Sequence, residues 1–586
     1  MTLPARWRLV GGDGAAAARL ADALGLSPLV ARVLVNRGYA DPDAAARFLT
    51  PRLADLTPPW SMRGMAAAVD RIVAAIGSGE PFLIFGDYDV DGVTASAVLA
   101  LGLSAMGARV EVCLPDRARD GYGLSPQAIT RGLAACDARL PSPSGCRLVV
   151  TADCGIAAHE ALAWAAGRGL EVIVTDHHEP RAGPPPPALA VVNPRQPDCA
   201  FPYKDLAAVG VAFLLVAAVR ARLRERGVDP LPDLREYLDI VALGTLADVV
   251  PLGGDNRILA THGLAQIRAL RRPGLRALAA VAGLGGPDAP EADARAVAFR
   301  LAPRLNAAGR VGDPTVALAL LLASDDREAS RLAARLDDMN RERQRLEAVA
   351  LEAARLIAAE QAGSPAIVAA GVGWHRGVVG IVAARLAEEA GRPAAVIALD
   401  DRPDEDGVVR GRGSVRGAGA ADVHEALARC ADLLDAWGGH AHAAGFTVRA
   451  DRVEAFRARF AEAVGAQTGG ASGPRLVLDA AVTLAQLDTA FWRDVVRLPP
   501  YGPGNPEPLF AAPLVVREQR LVGGGRHLRL ELAGDAAGSF CGIGFRMGSR
   551  YPLPTARVTA AFTPEVDHWQ GRPRPQLALR DLHSPS

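Results

Sequence analysis

No charge of either sign prevails in these 586 residues: 65 basic side chains face 65 acidic ones. That balance excludes a polycation that coats nucleic acid indiscriminately, so any phosphate binding must be local. Lysine is nearly missing, with Lys204 the single one among 64 arginines. Codon usage in an Ala-, Gly- and Pro-rich chain accounts for most of this, and the arginine fork also suits bidentate contacts to phosphate. The seven cysteines include no C-x-x-C pair, which argues against both a disulfide framework and a zinc ribbon, and favours a reducing cytoplasm. No apolar run approaches the ~20 residues of a membrane span, and Met1–Val10 lacks the apolar stretch of a secretory signal. A soluble intracellular protein is expected. There is no G-x-x-x-x-G-K-[ST], no strand followed by G-x-G-x-x-G and no G-x-S-x-G elbow, so neither nucleotide energy coupling nor a serine nucleophile is indicated. Aromatics make up only 5%, yet with 50% hydrophobic and 22% charged residues the chain is too apolar to be disordered. Its length suits roughly three or four domains.

Residues 1–75 carry short helical patterns broken by Gly and Pro and read as an N-terminal helical extension without chemistry. From Pro81 strand and helix alternate: Phe82–Phe85, Val93–Met106, Val110–Leu114, Pro126–Ala135, Leu148–Thr151, Ala157–Ala166 and Val172–Thr175. Apolar strands separated by amphipathic helices predict a doubly wound parallel sheet within a first domain over 76–325. A charged, Ala- and Leu-rich stretch over 326–362 reads as a long connecting helix. A second α/β body follows over 363–465, and after a Gly- and Ser-containing linker, short β-like runs over 474–586 predict a small barrel.

The sharpest local signal is Phe85-Gly-Asp87-Tyr-Asp89-Val-Asp91-Gly92, three carboxylates where an apolar strand gives way to a helix. Such close acids repel unless something cationic holds them. An EF-hand loop would need Glu at its twelfth position, where Val98 stands. Two further strands run into Asp153-Cys-Gly155 and Asp176-His177-His178. In an open parallel sheet ligands bind beyond the carboxyl ends of the strands, so these motifs share one rim. Asp248 stands in the apolar stretch Leu243–Val250, where an unpaired carboxylate is costly and a metal would offset the cost. Aspartates with imidazole and no thiolate suit Mn²⁺ or Mg²⁺, and the number of acids points to two ions and phosphoryl hydrolysis.

These ordered motifs resemble those of the DHH phosphoesterase superfamily, and more closely its single-strand-specific DNA exonucleases, from about residue 80 to the C-terminus. The resemblance implies metal ligands at Asp89, Asp91, Asp153, His177 and Asp248, with Asp153 bridging. Asp87, Asp176 and His178 complete the catalytic set, His178 by touching the scissile phosphate. It also implies substrate contacts at Arg117 and Tyr122 in Arg117–Leu124, and at Asn306 and Arg310 in Arg304–Arg310. The family pattern has Glu at 120 and an acid at 312, where this chain has Asp120 and Gly312.

Gly438-Gly439-His440-Ala-His-Ala-Ala-Gly445 follows the signature of the DHHA1 domain, read as a flat loop against a nucleic-acid backbone. Arg376 at the opening of a helix, with Arg412, Ser414 and Arg416, would complete a phosphate cradle. The last body resembles an oligonucleotide-binding fold, with Phe510, Phe545, Tyr551 and Trp569 as candidate stacking aromatics or core. The implied activity is 5′ to 3′ digestion of single-stranded DNA in repair and recombination, in a groove too narrow for a duplex. A single-strand-binding protein and a helicase are the candidate partners. Two alternatives stay open at this point: a phosphoesterase of short oligoribonucleotides or small nucleotides, and an inactive single-strand-binding scaffold.

Overall fold

The structure, a computed structural model, describes residues 7–115, 123–286, 291–468, 476–534, 538–567 and 574–583. Its first sheet is parallel throughout, with strands in the spatial order Arg109–Cys113, Pro81–Gly86, Leu148–Ala152, Glu171–Thr175, Ala190–Val192. Pro81–Gly86 and Leu148–Ala152 are buried along their whole length, as continuous apolar strands covered on both faces must be. The chain order reverses at Pro81–Gly86, and that switch point opens a crevice beyond the strands' carboxyl ends. Hydrogen bonding runs one residue past the strands: Asp87 N donates to Ala152 O, Asp153 N to Thr175 O and Asp176 N to Val192 O, at 3.1, 3.0 and 3.1 Å. Three aspartates therefore stand in a row on the rim.

The chain divides into two compact units: one takes the residues up to Gly309, Asp313–Leu336 and the chain from Val477; the other takes Arg310–Gly312 and Asp337–Leu476. The long helix expected over 326–362 spans Asp326–Glu360. In the second unit a mixed sheet orders Leu434–His440, Ala443–Arg449, Arg410–Arg416, Ala394–Leu399 and Ile367–Val372, only the last pair being parallel. The glycine-rich signature is thus a β-hairpin and not a flat loop. Its alternating small residues accept extended backbone, and Gly439, at φ 143°, lies so close to its neighbour that a Cβ would meet Ala443 O at 2.5 Å.

At the C-terminus, Phe510–Val522, His527–Ala533, Ser539–Gly544, Arg574–His583 and Arg557–Asp567 form a ring that closes back onto Phe510–Val522, giving an OB-like barrel. The helices Gly14–Leu24, Pro28–Asn36 and Pro42–Leu49 do not stand apart from it. Leu20, Val30, Leu34 and Phe48 share one core with Phe491, Leu498, Phe510 and Phe562. The Ser27 amide donates to buried Asp494 at 2.7 Å, and Trp7 Nε1 donates to Asp581 at 2.9 Å. Beneath this junction Arg257, 2% exposed, lies 3.6 Å over the Phe48 ring and donates to the carbonyls of Phe48, Arg497, Leu498, Pro499 and Pro500. Phe510 is fully buried in the same core, which removes it from the stacking candidates. Phe545 and Tyr551 are exposed, and Trp569 lies outside the described residues.

Candidate metal centre

Asp87 follows the strand Pro81–Gly86 directly, and Asp89 caps the helix Val90–Ser104 by accepting from Gly92 N at 3.1 Å. Glycine is required at 92, because a Cβ there would lie 2.7 Å from Asp87 Cα. Asp91, buried in the first turn of that helix, accepts from Ala208 N and Val209 N at 2.7 and 2.9 Å, the first amides of the helix Ala208–Glu225. Asp248 ends the helix Leu238–Ala247. Asp153 has φ 66°, a left-handed conformation in which aspartate is less strained than most residues.

His177 Nε2 is the hub of the arrangement. It lies 3.3 Å from Asp153 Oδ1, 3.6 Å from Asp248 Oδ2 and 3.9 Å from Asp91 Oδ2. Three overlapping groups have ligand atoms within 4.8 Å of one another: Asp153, His177 and His178; Asp91, His177 and Asp248; Asp87, Asp89 and Asp153. The five residues expected as ligands converge, and Asp87 and His178 enter the same clusters. Asp176 plays a different part: Oδ1 accepts from the amides of His177 and His178 and contacts His178 Nδ1 at 2.8 Å, while Oδ2 accepts from Ile156 N.

The protonation pattern follows from burial. Desolvation, then repulsion from Asp89, pushes both Asp87 and Asp91 up to about 7. Asp153 and Asp248 are raised well above the usual carboxylate range, again by burial first and neighbouring acids second. Burial lowers His177 to about 4, leaving it a neutral nitrogen donor at neutral pH. Burial opposes protonation of His178 too, but the hydrogen bond and charge of Asp176 outweigh it and raise His178 to about 9. Asp153 Oδ1 is buried with no hydrogen-bond donor. An orphaned carboxylate oxygen among four other acids and a neutral imidazole fits a hard divalent cation.

A test follows from linkage. Between about pH 4 and about 7 the native metal-free site holds protons that the unfolded chain has released, so stability falls as pH rises through that window. Metal-free protein should therefore melt at a lower temperature at pH 8 than at pH 6. Saturating Mn²⁺, at about 100 times its Kd, should add about 2.7 kcal/mol at the higher pH. Calorimetry with and without chelator reads both effects, and a pH-independent melting point that ignores Mn²⁺ would contradict the donor set.

Among the expected substrate contacts, Asn306 lies on the helix Ala302–Val311, and its Oδ1 accepts from Val90 N at 3.2 Å. Arg117 and Tyr122 lie outside the described residues. In the second unit, Arg310 Nη1 donates to Gly377 O at 3.4 Å, and Arg376 reaches Asp400. Arg412, Ser414 and Arg416 alternate along one strand and so share a sheet face. Across the ladder Ser414 pairs with Gly445, Arg416 with Ala443, and Ala443 with His440, which leaves small residues as the floor between the polar ones. Arg416 Nη1 donates to Ser414 Oγ at 2.7 Å. Gly380, in the first turn of the helix Val379–Ala390, is so near this pair that a Cβ would lie 3.1 Å from Arg416 Nη2. Arg376 precedes that helix and does not lie in it.

Sequence reasoning passed over Asn193, a fourth rim residue, fully buried, whose Nδ2 donates to His178 O at 2.9 Å. Its signal was positional, since it directly follows the strand Ala190–Val192. It also passed over Arg195, which pairs with Glu179 and Asp205 beside the site.

Comparison with known proteins agrees with this geometry. The chain matches the DHH family N-terminal domain over residues 81–245, the DHHA1 domain over 363–466 and the RecJ OB domain over 478–581. It is 37% identical over 584 residues to the single-stranded-DNA-specific exonuclease RecJ of Bacillus subtilis, covering 98% of this chain and 70% of that one. The chain belongs to the RecJ family. The Escherichia coli RecJ is 35% identical, with 95% of this chain and 96% of that one covered. The crystal structure of Thermus thermophilus RecJ in complex with Mn²⁺ superposes with a TM-score of 0.82 at 34% identity, covering 99% of this chain and 80% of that one. The same RecJ in complex with Mg²⁺ gives 0.76 at 32% identity, covering 99% and 79%. The RecJ architecture thus accounts for the parallel-sheet domain, the DHHA1 body and the barrel together, and the acidic and histidine groups on this chain's rim could hold a metal ion.

Proposed function

We propose that this protein is a single-stranded-DNA-specific exonuclease that works from the 5′ end by two-metal phosphodiester hydrolysis and releases mostly mononucleotides. The observation that carries the reading is the convergence of Asp89, Asp91, Asp153, His177 and Asp248 around one orphaned carboxylate oxygen. These five residues would hold the ions, with the orphaned Asp153 carboxylate at the centre of the set. A bound pair of Mn²⁺ or Mg²⁺ ions supplies an activated water and stabilises the leaving oxygen. The chain's own residues do the rest. Asp176 orients the His178 ring and keeps it cationic at neutral pH, so that its other nitrogen can donate to the phosphate under attack. Asp87 keeps the Asp89 turn in place through its own bond to Tyr88 N. Asn306, Arg310, Arg376, Arg412, Ser414, Arg416 and His440, with the close backbone approach allowed at Gly439 and Gly445, grip the strand's phosphates.

The barrel matched as a RecJ OB domain favours a polymer over small nucleotides. Free cysteines throughout the described residues suit a cytoplasmic enzyme of repair and recombination, with a single-strand-binding protein and a helicase as its natural neighbours. Purified protein, incubated with end-labelled single strands and Mn²⁺, should release labelled mononucleotide from the 5′ label first and fall silent with chelator. Comparable digestion of blunt duplex, or early release of a 3′ label, would overturn the reading.

A further inference from the structure

Asp87, Asp89 and Asp91 each accept from backbone amides, those of Tyr88, of Gly92 and of Ala208 and Val209, so hydrogen bonds set where their carboxylates point. Asp248 lacks such help. Among the described residues no hydrogen bond reaches its carboxylate, and His177 Nε2 stands off at 3.6 Å. Its aim is left to the backbone that follows. Asp248 ends its helix, and Val249 takes the next position in a left-handed conformation, at φ 62°. Glycine is the usual residue there, whereas a β-branched side chain is strained. Burial does not offset that strain, because Val249 is 68% exposed. The surroundings must hold the turn in place.

The next residues show how. Pro251 O accepts from Tyr203 Oη at 2.7 Å and from Asn256 Nδ2 at 3.0 Å, and Leu252 N donates to Pro503 O at 2.8 Å. Pro503 belongs to Tyr501-Gly-Pro-Gly-Asn505, a loop that precedes the first long barrel strand, Phe510–Val522. The loop is closed on itself: Gly502 N donates to Asn505 O, Asn505 N to Gly502 O, and buried Asn505 Nδ2 to Leu498 O and Pro500 O. Its glycines press on the segment after Asp248. A Cβ on Gly502 would lie 2.7 Å from Leu252 Cδ1, and one on Gly504, at φ 70°, would lie 3.2 Å from Pro251 Cβ.

We propose that the loop 501–505 is a positioning device for Asp248: by pinning Pro251 and Leu252 it holds Val249 in its left-handed turn, and so directs the Asp248 carboxylate toward Asp91 and His177, with which it would share an ion. The inference rests on the metal-centre reading. Asp248 belongs to the group with Asp91 and His177 and not to the group of Asp87, Asp89 and Asp153. Loosening the loop should therefore weaken one ion and spare the other.

The test titrates the full chain with Mn²⁺ and follows the free ion by its electron paramagnetic resonance signal. Gly504→Ala should weaken one Mn²⁺ site by about 10- to 100-fold, the span for lost support of a metal ligand, and leave the other at wild-type affinity. On a single strand its kcat should fall and its KM should not change. Adding Val249→Gly to Gly504→Ala should restore the weakened site, since glycine takes the left-handed turn unforced. If Gly504→Ala does not fold, Gly502→Ala presses on the same segment through Leu252 and is read in the same way. Two sites of wild-type affinity in the loop variant, equal weakening of both, or no recovery in the double variant would overturn the proposal. Wild-type protein that binds two ions but cuts no strand would sink the exonuclease reading while the titration still decides the role of the loop. Wild-type protein that binds no ion would sink both.

Discussion

Asp153→Asn should lower exonuclease turnover by about 10³-fold or more, the scale on which removal of a single charge-stabilising group acts, and at the same time raise the melting temperature of the metal-free protein. Both effects have one cause. The carboxylate is 2% exposed, its Oδ1 has no donor, and Asp89, Asp91 and Asp248 all repel it. Asparagine keeps the shape, tolerates φ 66° and removes the charge. The gain in stability should grow as pH rises, because at low pH the native carboxyl is already protonated and neutral. Oligonucleotide binding should survive, since the phosphate-gripping residues are elsewhere. Turnover at the wild-type level, or a lower melting point without metal at pH 8, would contradict the assignment of Asp153.

The second large effect is expected far from the chemistry. Arg257→Ala should destabilise the unit that holds the metal centre by about 3–5 kcal/mol, as breaking a buried charge's contacts does. Five carbonyl oxygens from two distant stretches would lose the guanidinium, with Asn505 Nδ2 still donating to Leu498 O and Pro500 O, and the Phe48 ring would lose its cation. Arg257→Lys should rescue little, because an ammonium lacks the planar fork that spans Phe48 O and the 497–500 carbonyls. Hydrogen exchange over residues 14–49 and 491–516 should accelerate together in both variants. Fast exchange confined to one of the two stretches would contradict a shared anchor.

Much of the site was legible in the sequence because strand ends announce themselves. Apolar runs at 82–85, 148–151 and 172–175 stop at acids, and a parallel sheet must bring those stops to one edge. Asp248 was legible for the opposite reason, as a charge in the apolar stretch Leu243–Val250, where the helix Leu238–Ala247 ends. What stayed hidden depends on pairing between remote segments. Nothing in Gly14–Leu49 says that its apolar stripe is covered by Phe491 and Phe510, since amphipathic periodicity records that a face is buried but not against what. The same holds for Phe510, whose ring reads equally as platform or core until the barrel closes. The glycine-rich signature reads as a loop because glycine disfavours strands, a preference that ladder pairing with Arg410–Arg416 overrides.

The shared core at the two ends of the chain bears on how the protein is made. The amide of Ser27 meets its acceptor 467 positions later. At about 5–20 residues per second, the first helices leave the ribosome about 25–90 s before the strands that cover them. Through that interval Leu20, Val30, Leu34 and Phe48 have no native cover, so the nascent chain is a natural client for a holding chaperone. A premature stop anywhere before the barrel would leave an apolar face for proteases to find.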